Sequence, residues 1–207
     1  MRTPLLAGNW KLQAGTRAEA LSLAGAVAKR DVDGVGLLRA EVMVAELGEH
    51  PRHAIENGRA EGWVDGLAAG IEKFCSAFSP RPVLYRTTDF KTNEYLSLEG
   101  GAAYEAEEEN PMLGYRGAAR YLTDPEAFAL ELAAIKRVRR KYNNLSVMIP
   151  FIRTTRELTE VKRMLSANGL RRSKTFELWV MAEVPSNVLL LDNFLDVGID
   201  GVSIGSN

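Results

Sequence analysis

The sequence predicts an α/β fold on a parallel sheet, and two observations carry that expectation. Short, almost wholly apolar segments recur along the chain with amphipathic helical segments between most of them, which is how strands buried on both faces read. Polar residues also gather where these apolar segments end. Periodicity alone leaves a doubly wound sheet and an eight-stranded (β/α) barrel both open. The strand-end polar residues favour the barrel, whose functional rim lies at the C-terminal ends of its strands.

Taken in order, residues 4–8 read as a first strand, and residues 17–29 as a helix with Ala18, Leu21, Ala24 and Ala28 on one face and Thr16 as N-cap. Residues 34–39, Gly-Val-Gly-Leu-Leu-Arg, are a second strand. Residues 50–79 read as helix, in two pieces about Gly58, and residues 82–86 as a third strand. A long irregular stretch from Thr87 to Gly114 follows, with a turn at Gly100-Gly101 and acidic residues Glu105, Glu107, Glu108 and Glu109. Loops of this length are either functional or solvated insertions. Residues 111–116 are expected as a fourth strand. Residues 125–142 are expected as a helix opened by Asp124 with proline first. Then come a strand at 145–152, a helix at 155–168 closed by Gly169, a strand at 176–184, a helix at 186–197 closed by Gly198, and a last strand at 201–205. That makes seven strand signals.

The 207 residues carry 26 basic and 27 acidic side chains, a net charge of −1, with 46% apolar and 26% charged residues. This is the profile of a soluble globular protein. It gives no ground for a nucleic-acid groove or a membrane surface as partner. The basic cluster Lys136, Arg137, Arg139, Arg140, Lys141 falls in the last turns of an expected helix, where cations are favoured, although an anion patch is the other reading. The single cysteine, Cys75, rules out an intrachain disulfide and sits in the apolar pattern of Leu67, Ile71, Phe74 and Phe78, which makes it a core residue. With no signal-peptide pattern and no long apolar run, the expected location is cytoplasmic.

Candidate chemistry lies at the strand ends. Arg39 and Glu41 follow the second strand, Arg86 and Asp89 the third, Arg116 the fourth, Arg153 the fifth, Glu183 the sixth and Asn207 the last. Converging guanidinium forks suit phosphate or carboxylate. Glu183 is the candidate ligand for a hard cation such as Mg2+, its alternative being an ion pair with a rim arginine. His50 and His53 read as surface or helix-start residues. No P-loop or dinucleotide fingerprint is present, so a self-contained nucleotide site is not expected.

Six ordered blocks carry a resemblance. They are Val32-Asp-Gly-Val-Gly-Leu-Leu-Arg-Ala-Glu41, Tyr85-Arg-Thr-Thr-Asp-Phe-Lys-Thr-Asn-Glu-Tyr95, Glu107-Glu-Glu-Asn-Pro-Met-Leu-Gly-Tyr-Arg-Gly117, Val147-Met-Ile-Pro-Phe151, Met181-Ala-Glu-Val-Pro-Ser-Asn187 and Ser203-Ile-Gly-Ser-Asn207. Over residues 32–207 the chain resembles the C-terminal phosphoenolpyruvate/pyruvate-binding barrel of the phosphoenolpyruvate synthases (pyruvate, water dikinases). The resemblance implies a TIM-type (β/α)8 barrel, here incomplete, with about seven strands and no eighth βα unit. It implies that Arg39 and Arg86 hold the phosphoryl and the enolate or carboxylate oxygens, that Arg116 lines the same rim, that Met181 packs near the substrate methylene, that Asn207 contacts substrate, and that Glu183 binds Mg2+. It also implies that a separate phosphohistidine domain, charged by an ATP-binding domain, exchanges the phosphoryl group with pyruvate.

Departures from the family pattern qualify this. The aspartate expected after Ser-Asn as second metal ligand, and the acid/base cysteine of the last strand, fall beyond Asn207, and Cys75 is not at that position. The N-terminal Met1-Arg-Thr-Pro-Leu-Leu-Ala-Gly-Asn-Trp-Lys11 resembles the opening of triosephosphate isomerase, with Asn9 and Lys11 at that family's substrate-contact positions. The expectation is therefore a chimeric, truncated barrel: residues 1–30 as a strand–helix unit of isomerase type, residues 31–207 of synthase type. A non-catalytic scaffold is the alternative. Open sheet edges would favour a homo-oligomer or a complementing chain.

Overall fold

The computed structural model describes residues 7–10, for the backbone only, and 24–205. The expected helix over residues 17–29 is described from residue 24, with residues 24–28 helical (α1). Six parallel strands form one sheet: β1 Ala7–Trp10, β2 Gly34–Arg39, β3 Val83–Arg86, β4 Leu145–Ile149, β5 Leu178–Ala182 and β6 Gly201–Ile204. Their spatial order is the chain order, β1-β2-β3-β4-β5-β6. A doubly wound sheet reverses its order at a switch point. Unbroken sequential order with helical crossovers is the order of a (β/α) barrel, so the fold is an incomplete TIM-type barrel.

The helices are α2 Ala40–Leu47, α3 Pro51–Glu56, α4 Ala60–Phe78, α5 Thr92–Tyr95, α6 Ala118–Thr123, α7 Pro125–Arg139, α8 Thr155–Ala167, α9 Pro185–Leu189 and α10 Leu191–Asp196. Two of the longer helices start at side-chain caps. Asp124 accepts from the Ala127 N–H ahead of Pro125, and Thr154 and Glu157 form a reciprocal capping box at α8. Gly58 (φ 69°) separates α3 from α4, and Gly48 (φ 73°) ends α2 in the left-handed region that glycine enters freely.

Strand alternation divides the side chains into two sets. Val83 and Tyr85 of β3, Leu145, Val147 and Ile149 of β4, and Leu178 and Val180 of β5 join the main core with α4, α7 and α8. The intervening Leu37, Leu84, Met148 and Met181 form a second cluster on the opposite, inner face, with Trp179 against it. Period-two alternation thus aims Arg86, two residues beyond Leu84, to the same inner face at the end of its strand. Register then sets Arg39 directly opposite Arg86, and Arg86 opposite Met148.

Three expectations need correction. Residues 111–116 are not a strand: Leu113 N–H bonds Asn110 O, Gly114 N–H bonds Pro111 O, and Met112 and Leu113 are exposed. Proline, glycine and solvent-facing apolar groups make this a turn, so the described residues hold six strands rather than seven. The first strand is described over 7–10, which shares Ala7 and Gly8 with the expected 4–8, and residues 4–6 lie outside the described residues. The helix expected at 186–197 is two short helices parted at Leu190 (φ −117°, ψ 28°). The helix Ala40–Leu47 was not expected as an element; its Ala40, Met43 and Val44 recur at helical spacing and are buried.

Cys75 is buried, as expected, and burial pushes its thiol up to about 12. In the basic cluster, Arg137 pairs with Glu61 and Asp65, and Lys141 with Glu72, tying α7 to α4. Arg139 donates to the carbonyls of Asn143, Leu145 and Thr175. The sheet ends at β1 and β6, and Val188, Leu189, Leu195 and Ile204 near the β6 end are exposed. No helix among the described residues is long and apolar enough to cross a membrane. The positions matched to triosephosphate isomerase, Asn9 and Lys11, lie outside the described side chains.

Candidate functional site

A cavity of about 240 Å3 opens at the C-terminal ends of the strands. Arg39, Arg86, Arg116, Met181 and Glu183, singled out from sequence on different segments, all line it. Lys91, Glu94 and the β6 end, Ser203–Gly205, complete its wall. Asn207 lies outside the described residues.

Two buried ion pairs organise the rim. Glu41, in the first turn of α2, accepts from Arg86 Nη2 at 2.8 Å and from the Asp89 N–H at 2.7 Å. Asp89 takes a two-pronged bond from Arg116, Nε at 2.9 Å and Nη2 at 2.6 Å. Burial works against the Arg86 charge, but Glu41 and Asp89 outweigh it and raise its pKa. Arg86 Nε is buried without a partner among the described residues, while Nη1 faces Met181 Sδ at 3.5 Å. Arg39 is the looser cation: its side chain is 36% exposed and reaches Glu41 at 3.3 Å. The arginines therefore split into two held by short contacts to carboxylates and one, Arg39, that is more exposed and more loosely paired.

Glu183 sits past the end of β5. Its Oε1 accepts the Phe151 N–H at 2.7 Å, and its own N–H donates to Asn187 Oδ1. It forms no ion pair among the described residues, so the sequence alternative, pairing with a rim arginine, does not hold: those arginines choose Glu41 and Asp89. Burial, with the opposing help of the Phe151 N–H outweighed, raises the Glu183 carboxyl above its ordinary value. A half-buried carboxylate without a cationic partner at a cavity wall fits a hard divalent cation, which takes carboxylate oxygens with water and substrate oxygens.

Sequence reasoning missed what lies behind this rim. Phe151 adopts φ 47°, and its ring lies under the Arg116 and Arg153 guanidiniums, 4.3 and 4.6 Å from their centres. Glu131, buried on α7, accepts from Tyr85 Oη at 2.8 Å and the Thr88 N–H at 2.9 Å, and burial raises it to about 7. Part of the 87–114 stretch is not a solvated insertion: Glu105 is buried, binds Arg120 through both oxygens and takes His50 Nε2 at 3.1 Å. His50 is 2% exposed, contrary to a surface role, although it does cap α3 by accepting the Arg52 N–H. Only the helix-start half of that expectation survives. No local signal marks Glu105, which sits in an acidic run, and its partner Arg120 lies 15 residues further along the chain.

Parallel strands in sequential order, with arginines and carboxylates gathered about one cavity at their ends, define a domain of barrel type. The family follows from comparison. The model for the PEP-utilising enzyme, PEP-binding domain matches residues 11–207. The chain is 49% identical over 180 residues to the probable phosphoenolpyruvate synthase of Staphylothermus marinus, and 47% identical over 181 residues to the phosphoenolpyruvate synthase of Aeropyrum pernix. It is 43% identical over 200 residues to the phosphoenolpyruvate synthase of Deinococcus radiodurans. Each match covers 84% of this chain but only 22%, 22% and 26% of those relatives. The chain belongs to the PEP-binding domain family of PEP-utilising enzymes.

Proposed function

We propose that this chain is the phosphoenolpyruvate- and pyruvate-binding unit of a phosphoenolpyruvate synthase, serving phosphoryl transfer between a phosphohistidine domain and pyruvate. In this reading residues 31–207 are the binding unit and residues 1–30 supply its first strand–helix piece. The observation that carries it is the convergence of Arg39, Arg86 and Arg116 with Glu183 on one strand-end cavity.

The roles follow from how each group is held. Arg39, least committed, meets the phosphoryl oxygens. Arg86, fixed by Glu41 and Asp89, directs its remaining N–H groups at the substrate's enolate or carboxylate oxygens. Arg116 adds charge at the same rim, and Met181, beside Arg86, packs the methylene. Glu183 would hold Mg2+, which when bound supplies charge neutralisation at the substrate oxygens. Phosphoryl transfer spreads charge over oxygens in the transition state, so fixed cations contribute more than covalent chemistry does. In the synthesis direction the acid/base cysteine that the family resemblance implies would take a methyl proton from pyruvate, and the enolate oxygen would bond to phosphorus as the P–N bond breaks and neutral imidazole leaves.

The 31P resonance of phosphoenolpyruvate tests this. It shifts or broadens on adding the protein with Mg2+, and the change is lost in Glu183→Gln when Mg2+ is the only cation. An unperturbed resonance with the wild-type chain refutes the reading.

A further inference from the structure

Phe151 is the one described non-glycine residue at positive φ, 47°, and it sits between two site elements rather than in a turn tip. A left-handed backbone is costly for a side chain of this size and persists where surroundings impose it, most often at functional sites. Here both halves of the residue are engaged. Its N–H reaches Glu183 Oε1 at 2.7 Å, and its ring, 7% exposed, carries the Arg116 guanidinium at 4.3 Å. On the ring's other partner, Arg153 donates to the carbonyls of Leu113 and Gly114, in the segment that leads to Arg116. Gly117, just after Arg116, leaves no room for a Cβ: one would lie 2.6 Å from Phe151 Cβ. The chain therefore closes on Phe151 from the carboxylate side and the arginine side together.

We propose that Phe151 is a positioning residue for substrate binding: its ring face holds Arg116 at the angle the anion needs, while its backbone N–H, which any side chain at this position keeps, stays on the Glu183 carboxylate. The idea rests on the phosphoenolpyruvate-binding reading above. Asp89 holds the Arg116 guanidinium along its Nε–Nη2 edge, and the ring fixes the plane; losing the plane lets the guanidinium tilt out of register with the ligand.

Phosphoenolpyruvate affinity measured for wild type, Phe151→Leu, Arg116→Ala and the double variant decides it. Each single change weakens binding about tenfold, and the double is no weaker than Arg116→Ala alone, because the ring acts through that arginine. Phe151→Tyr, which keeps the ring face, stays within about twofold of wild type. Losses that multiply in the double variant, or Phe151→Leu binding as wild type does, overturn the proposal. Phe151→Met keeps the volume without the ring and replaces leucine in the cycle should that variant fail to fold. A wild-type chain that does not bind phosphoenolpyruvate refutes the function itself; binding that Arg116→Ala weakens and Phe151→Leu does not refutes only the positioning role.

Discussion

Arg86 Nη2 and Glu41 Oε1 stand 2.8 Å apart, both buried, at the ends of neighbouring elements that the sequence separates by 45 residues. The same oxygen of Glu41 takes the Asp89 N–H. One carboxylate thus fixes an arginine side chain and the backbone of the loop that follows β3.

Glu41→Gln keeps the shape but removes the charge opposite Arg86. Breaking one side of a buried pair costs roughly 3–5 kcal/mol because the other charge is left uncompensated. Denaturant unfolding should show a loss of about 3 kcal/mol. A loss below about 1 kcal/mol, the range of an exposed pair, contradicts the buried link.

Glu131 gives a pH signature. Its folded pKa of about 7 exceeds the ordinary 4.5 because burial disfavours the charge. The folded protein binds more protons than the unfolded one across that window, so this group's contribution to stability falls as pH rises from 4.5 to 7 and is level above it. The fall amounts to about 3 kcal/mol, at 1.36 kcal/mol per unit. Glu131→Gln cannot ionise. The stability difference, variant minus wild type, therefore grows in the variant's favour from pH 5 to pH 8 in thermal melts. A difference flat with pH contradicts the assignment.

Cys75 has its thiol pushed up to about 12 and lies in the core, so almost none is thiolate at neutral pH. A thiol-specific chromogenic disulfide should react only as fast as the protein unfolds, and at full stoichiometry in denaturant. Rapid labelling of the native protein would place Cys75 elsewhere.

Much of the fold was legible because apolar runs and helix stops are local signals: Asp124-Pro125, Gly58 and Gly169 all mark ends that the structure keeps. The misreadings have physical causes. Met112 and Leu113 are apolar enough to suggest a strand, yet proline and glycine beside them turn the backbone. Strand β2 runs into α2 without a breaker, so the sequence reading ends the strand at residue 39 and assigns no element before residue 50. Arg39, Arg86 and Glu183 are legible as strand-end residues, whereas Arg116 follows a turn rather than the strand expected before it, and Met181 comes from the family resemblance alone. Which carboxylate each arginine would choose is not legible, since Glu41, Asp89 and Arg116 meet only through the sheet register. Nor does a phenylalanine announce a positive φ: Phe151 takes it because Gly117 and Glu183 close around it.

The central claim is that the strand-end cavity binds phosphoenolpyruvate. Calorimetric titration of phosphoenolpyruvate with Mg2+ into the wild-type chain and into Arg39→Ala tests it most directly, because Arg39 is the exposed, loosely held member of the set and its removal leaves the buried pairs intact. Saturable heat with wild type and affinity at least tenfold weaker in Arg39→Ala, about 1.4 kcal/mol, is the predicted result. No heat with wild type, or the same affinity in both, would contradict it.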